Sequence, residues 1–173
     1  MLLEFVGTLL AGLAAGMLVF AIRSWKPHLV PKWGLPVAAG AAMIVATISS
    51  EYGWYGRVSA QLPETFVVAQ TVEERAPWRP WTYITPYVTR FVAVDRGTAR
   101  THPEVPGQRM VDLYFFGRWT PLRQVTVLWD CPGRRTAALG EETEFGPDGQ
   151  VAGADWQPIA ADDPLFVAAC AEA

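Results

Sequence analysis

Lysine, histidine and cysteine are scarce in this chain, with two of each among 173 residues. Each scarcity removes a class of chemistry. A histidine-based triad in the region after residue 50 would have to use His102, and no GxSxG accompanies it. His102-Pro103-Glu104 matches one fragment of the zinc-deaminase signature, but the partnering PCxxC is missing and Cys131 stands before a proline instead. His102 therefore reads as a loop residue. Redox catalysis lacks its CxxC. Glu141, Glu142, Glu144 and Asp148 lack the glycine-punctuated spacing of a calcium loop and read as a solvated hairpin face. Arg134 and Arg135 beside Cys131 read as ordinary surface arginines on a strand. No catalytic residue, metal site or cofactor is expected.

Basic charge is also lacking where a nucleic-acid partner would need it. From Glu51 onward there are 11 arginines and 16 acids, a formal charge of 11 − 16 = −5. Counterion release at a polyanion requires a concentrated basic face, so nucleic acid is set aside. The lysines, Lys26 and Lys32, both lie with Arg23 between two apolar blocks.

Those blocks dominate the first 50 residues. Leu2 to Ile22 contains one ionisable residue, Glu4, and as a helix it would extend about 32 Å, enough for a hydrocarbon core of about 30 Å. Gly34 to Ser50 would extend about 26 Å, at the lower limit for a crossing. Trp33 at one end, and Tyr52, Trp54 and Tyr55 at the other, are the amphipathic rings expected at headgroup level. Pro36 falls in the first helical turn, where its missing N–H costs little. A cleaved signal peptide is the competing reading, but positive charge follows the first block rather than preceding it, and a second block comes soon after. The sequence thus predicts a membrane hairpin over residues 1–50, with helices near 2–22 and 34–50 and a cytoplasmic loop over 23–33, placed by the positive-inside bias. Both termini and the region after residue 50 then face outward, into the periplasm of a bacterium. The bilayer and other integral membrane subunits are the expected partners.

Small residues mark helix faces. Gly12 and Gly16 form a GxxxG step, and Gly7, Ala11 and Ala15 continue the stripe; Ala38, Ala42 and Ala46 form another. Such residues permit the close backbone approach that drives association in lipid, although alanine and glycine are common in membrane helices generally. No Asp, Lys, Arg or His lies deep in either block, which argues against a proton route or an axial haem ligand.

After residue 50 the pattern changes to that of a small folded domain. A membrane-proximal segment over 51–87 holds a first strand, Thr65 to Val72, and a rigid stretch around Trp78, Arg79, Trp81, Tyr83 and Tyr87. Three prolines there resist helix and favour an extended connection. Its aromatic side chains either pack on the domain or the membrane surface, or form a docking segment of the Trp, Tyr and Arg type. Over 88–173, strands are expected at Val88 to Asp95, Met110 to Phe116 and Gln124 to Asp130, where Val125, Val127 and Trp129 share one face. Arg135 to Phe145 and Val151 to Trp156 flank the turn signal Gly146-Pro147-Asp148-Gly149. Asp163-Pro164 reads as the N-cap and first residue of a terminal helix whose Leu165, Phe166, Ala169 and Cys170 fall on one face. The fold class is α+β: two apolar helices, then a mainly antiparallel sheet with a C-terminal helix packed on it.

An even pair of cysteines on the outward side, Cys131 and Cys170, reads as a disulfide, with two buried thiols as the alternative. The bond would stabilise by roughly 4 kcal/mol in the chain-entropy account. The order Val125 to Cys131, Arg134-Arg135, a hairpin centred on Gly149, Trp156 to Ile159 and a helix ending in Cys170 resembles the small secreted bacterial domains of the surface-adhesin-E-like type. That resemblance covers about the last third of the chain; it implies a strand cysteine bonded to one near the C-terminal end, and it assigns no enzymatic activity. The hairpin stands where those domains have a secretion or lipoprotein signal, so a free-surface adhesin role does not carry over. A non-catalytic accessory or scaffold subunit of a bacterial inner-membrane complex is the expected function. The alternatives are a membrane-anchored module for ligand binding or envelope sensing, and an enzyme built on Asp95, Asp112 or Asp130 with an arginine.

Overall fold

A run of apolar residues with no interior proline is free to stay helical until a proline stops it, and that rule sets the length of the first helix. The computed structural model describes residues 2–139, 143–146, 149 and 151–171. Helix α1 (Leu2–Trp25) continues past Ile22 and stops two residues before Pro27, its last turn closed by the Lys26 amide donating to the Ile22 carbonyl at 2.7 Å. Helix α2 (Gly34–Ser59) runs nine residues beyond Ser50 and ends in two turn bonds ahead of Pro63. The expected boundary at residue 50 is therefore corrected. Loss of hydrophobicity does not end a helix, and Glu51 to Arg57 remains compatible with it. Both helices are long and apolar enough to cross a membrane.

The chain divides into two units, Met1–Gly56 and Arg57–Ala173. Within the first, α1 and α2 lie antiparallel. Glu4 accepts a hydrogen bond from the Ser50 hydroxyl at 3.0 Å, Gly12 faces Met43, and Gly16 faces Ala39 and Leu35, so numbers fall on one helix as they rise on the other.

The second unit is a six-stranded antiparallel sheet with neighbours in chain order for its first five strands: β1 (Phe66–Glu74), β2 (Tyr87–His102), β3 (Val105–Gly117), β4 (Arg123–Asp130) and β5 (Arg135–Ala138). The short β6 (Glu144–Phe145) and β7 (Val151–Ala152) pair apart as a hairpin, and β8 (Gln157–Pro158) returns to the edge beside β5. The turn expected here lies in part outside the described residues, at Pro147 and Asp148, as do Glu141 and Glu142; Gly149 adopts φ +75, the left-handed region that favours glycine. Within the segment 51–87, β1 pairs with β2 along its length and belongs to the sheet.

One face of the sheet forms the core. Val92 and Val94 of β2, Val111 and Leu113 of β3, and Trp129 of β4 alternate inward and meet Phe166, Ala168 and Ala169 of helix α3 (Pro164–Cys170). Asp163 caps this helix, its carboxylate accepting from the Leu165 and Phe166 amides at 2.8 and 3.2 Å. The far end of α3 is held three ways. Between Asp95 and Arg100, β2 bulges, with four intervening residues against one, Val111, between Asp112 and Met110 of β3. The bulge turns Arg96 out of the ladder, and its Nε donates to the Ala168 carbonyl at 3.1 Å. Arg109 reaches the Ala169 and Ala171 carbonyls at 3.4 and 3.2 Å. Cations suit the carbonyl end of a helix. The Cys131–Cys170 disulfide, Cα–Cα 5.8 Å, is the third tie.

The opposite face is partly buried as well. Phe91 and Phe116 stack with centroids 4.6 Å apart, and Tyr114 lies 5.0 Å from Phe66. The alternation along β4 therefore buries both sets at its end: Trp129 inward, Leu128 and Asp130 outward.

Candidate functional site

The polar groups singled out as a rival enzyme site separate into two structural clusters. Asp130 accepts from Arg135, whose Nε lies at 2.9 Å, and from the Gly133 amide at 3.0 Å, and Arg135 stacks on Trp156 at 4.9 Å. This ion pair shapes the β4–β5 turn, in which Arg134 takes a positive φ of 49. Asp95 and Asp112 stand opposite each other on β2 and β3, a convergence that spacing alone could not reveal. Asp95 is tied to its own bulge through the Gly97 amide at 2.9 Å, and Asp112 accepts from Gln124 at 2.9 Å and Thr126 at 2.5 Å. Burial, then Asp112 and Asp95, push the Tyr114 phenol above its ordinary value. Both carboxylates are thus held by local donors. The hollow of about 200 Å³ beside them is lined by Thr98, Arg100 and Asp112 among others.

A second cavity, about 160 Å³, lies under the β6–β7 hairpin between Met110, Leu128, His102 and Val151. It falls well below the roughly 300 Å³ at which small-molecule clefts begin. His102 is a turn residue whose Nδ1 accepts from the Glu104 amide at 3.3 Å. Among the described residues no group of three or more His, Cys, Asp or Glu is placed to hold a metal ion.

Among the described residues, the feature with no counterpart elsewhere on the domain is an apolar collar at one end of the sheet. The register pairs Glu74 with Tyr87, Arg90 with Gly117 and Phe115 with Arg123, so the β1–β2 connection and the β3–β4 turn open from the same end. The first presents Trp78, Trp81, Tyr83 and Ile84; the second presents Trp119 and Leu122. Trp78 is 74% exposed and Trp119 58%. Isolated exposed apolar residues are normal, but six large ones on two adjoining loops form a patch.

Local hydrogen bonding fixes the longer loop. Thr82 is buried, and its hydroxyl accepts from the Ala76 amide at 3.0 Å and donates to the Arg79 carbonyl at 2.7 Å. Pro80 opens a short 3-10 helix (Pro80–Tyr83) rather than the expected extended run, since its fixed φ suits a first helical turn. Of the expected docking residues, Trp78, Trp81 and Tyr83 point outward, whereas Arg79 and Tyr87 form the support. Arg79 donates to the Tyr87 hydroxyl at 3.3 Å, with its guanidinium 5.7 Å from the ring centre, and Tyr87 is buried. Ile84, Trp119 and Leu122 were not legible as site residues. The signal that could have found the second loop is Trp119-Thr-Pro-Leu122 at a turn, where apolar side chains have no strand face to enter.

Among the helix-packing candidates, Gly12 and Gly16 are buried against α2, and a Cβ on Gly12 would lie 2.3 Å from the Met43 methyl. Ala11, Ala15, Ala38, Ala42 and Ala46 are half-buried. Gly7 is exposed with open space where a Cβ would stand, so it leaves the stripe. Of the interface aromatics, Trp33 is exposed, Tyr52 and Tyr55 are half-buried, and Trp54 is buried at 8%. Trp54 is therefore the least exposed of the four.

No protein-family model matches the chain, and no curated protein or solved structure matches it either.

Proposed function

We propose that this chain is a non-catalytic accessory subunit of a bacterial inner-membrane complex. In this reading α1 and α2 cross the membrane as a hairpin, the loop bearing Arg23, Lys26 and Lys32 faces the cytoplasm, and the β domain stands in the periplasm against the outer surface of the assembly. The observation that carries it is the collar: Trp78, Trp81, Tyr83 and Ile84 are held outward on a hydrogen-bonded loop, and Trp119 and Leu122 are exposed on the turn at the same sheet end, rather than folded into a core. Aromatic anchors on a preorganised support are what a docking surface requires. The positive charge of the short loop supports the orientation. The bond between Cys131 and Cys170 fits an oxidising compartment and the likeness of residues 125–170 to surface-adhesin-E-like domains.

Three measurements test this reading. Alkaline carbonate should leave the protein in the membrane pellet, and protease added to spheroplasts should digest the β domain while sparing the loop. Mild detergent extraction should recover a companion at stoichiometric amount. Release by carbonate, or digestion of the β domain only from the cytosolic side, overturns the topology; recovery as a lone monomer overturns the accessory role.

A further inference from the structure

We infer that the outer face of the sheet holds a site for a free aromatic α-amino acid bearing a phenol, with Asp112 taking the ammonium, Arg100 the carboxylate and Gln108 the hydroxyl. The site goes beyond the accessory role and does not rest on it, because every residue invoked lies in the β domain and outside the collar.

The strands set the layout. Met110 stands opposite Arg100 and Leu128, and Asp112 opposite Thr126, so these side chains share one face. Asp112, Met110 and Gln108 follow one another along β3 at two-residue steps, about 13 Å from first to last. The hollow beside Asp112 and the cavity under the β6–β7 hairpin are halves of one groove, since Arg100 and Met110 line both. At about 200 and 160 Å³ neither half reaches the size of a small-molecule cleft, but joined they pass it.

The polar half is shaped by the bulge in β2. Thr98, inside the bulge, accepts from the Asp112 amide at 3.3 Å and donates to the Asp95 carbonyl at 2.8 Å, which pins the strand beside the carboxylate. Each Asp112 oxygen accepts one bond, from Thr126 or Gln124, and has a second lone pair to offer. Asp95 opposite adds another negative charge, so a cation is favoured there over a neutral donor. Arg100 lines the same hollow, yet among the described residues its guanidinium has no ion pair or hydrogen bond. Opposite charges that face one space without pairing suit a ligand carrying both, and an α-amino acid sets them on a single carbon. The guanidinium fork matches its carboxylate.

The apolar half is walled by Met110, Leu128 and Val151. A dry cavity of about 150 Å³ accommodates benzene, so this one accepts a phenyl ring, and the Met110 thioether is a favourable neighbour for it. Gln108 also lines this cavity, and its Oε1 is buried with no hydrogen-bond partner among the described residues. A buried acceptor left without a donor is costly, and a phenol hydroxyl at the far end of the ring supplies one.

The test uses the full chain in mild detergent with 3-fluorotyrosine as the probe, whose fluorine line broadens on binding. Unlabelled tyrosine should restore the sharp line. Tyramine, which lacks the carboxylate, N-acetyltyrosine, which lacks the cation, and phenylalanine, which lacks the hydroxyl, should each need at least tenfold more. Arg100→Gln, on an exposed side chain that the fold does not need, should make tyrosine and tyramine equal competitors. Gln108→Leu should do the same for tyrosine and phenylalanine, and Asp112→Asn should abolish the broadening. A probe line that stays sharp with the native chain overturns the site, as does broadening that Asp112→Asn retains, which marks partition into the micelle. Equal competition by tyramine, N-acetyltyrosine or phenylalanine against the native chain overturns the ligand class.

Discussion

Thr82 shows how a single hydroxyl can hold a loop that hydrophobic packing does not. It is buried, it is both donor and acceptor, and its two partners belong to residues on either side of Pro77 and Trp78. Valine has the same shape without the hydroxyl, so Thr82→Val strands the buried Ala76 amide, while the Arg79 carbonyl keeps its bond from the amide of residue 82. The expected cost is about 1–3 kcal/mol, read as a lower urea midpoint for the detergent-solubilised chain. Tyr114 makes a pH-dependent prediction. Its phenol is held above the ordinary value by burial and by Asp112 and Asp95, so the folded state keeps its proton where the unfolded chain, ionising near pH 10, gives it up. The contribution is complete below that unfolded value and is lost as pH rises through the folded one. Tyr114→Phe should therefore make the fall in stability above about pH 10 shallower, as urea midpoints measured across pH will report.

At the scale of elements, the best-read parts were those whose signal is local. Asp163-Pro164 specified its cap and first turn, and the alternation in β4 specified Val127 and Trp129 as inward. Asp163→Ala removes the acceptor for two amides and should lower stability by about 1 kcal/mol, seen in thermal melts of the purified protein. The end of α2 was misread because hydropathy marks where lipid stops, while helix geometry continues until a proline or turn intervenes. The collar was half-read for a related reason: which loops share a sheet end depends on strand register, and that is a non-local property. The hairpin helices separate their glycines by use. Gly12→Leu drives side-chain atoms into Met43 and should part the helices, whereas Gly7→Leu enters open space and should be tolerated. Cysteines placed at Gly16 and Ala39 will report the difference as loss or retention of cross-linking.

Across the whole molecule, stability of the β domain depends on one covalent tie. Cys131→Ser with Cys170→Ser should cost about 2–5 kcal/mol, with the same drop on adding a reductant to the native chain and none in the double variant. Composition distinguishes an apolar N-terminal block from the mixed polar sequence after it, whereas the two units divide at Gly56 and Arg57. It could not reveal the opposed Asp95 and Asp112 or the bulge that sends Arg96 to α3, since both require two strands to be laid side by side.

The placement of α3 also dictates an order of events as the chain emerges. β1 to β4 are neighbours in both chain and sheet, so each strand can zip onto its predecessor as it emerges. The lid for their apolar side arrives late: the contact from Arg96 to Ala168 spans 72 positions, and Cys131 waits 39 positions for its bonding partner. A nascent chain halted between those cysteines would display an uncovered greasy sheet and an unpaired thiol together.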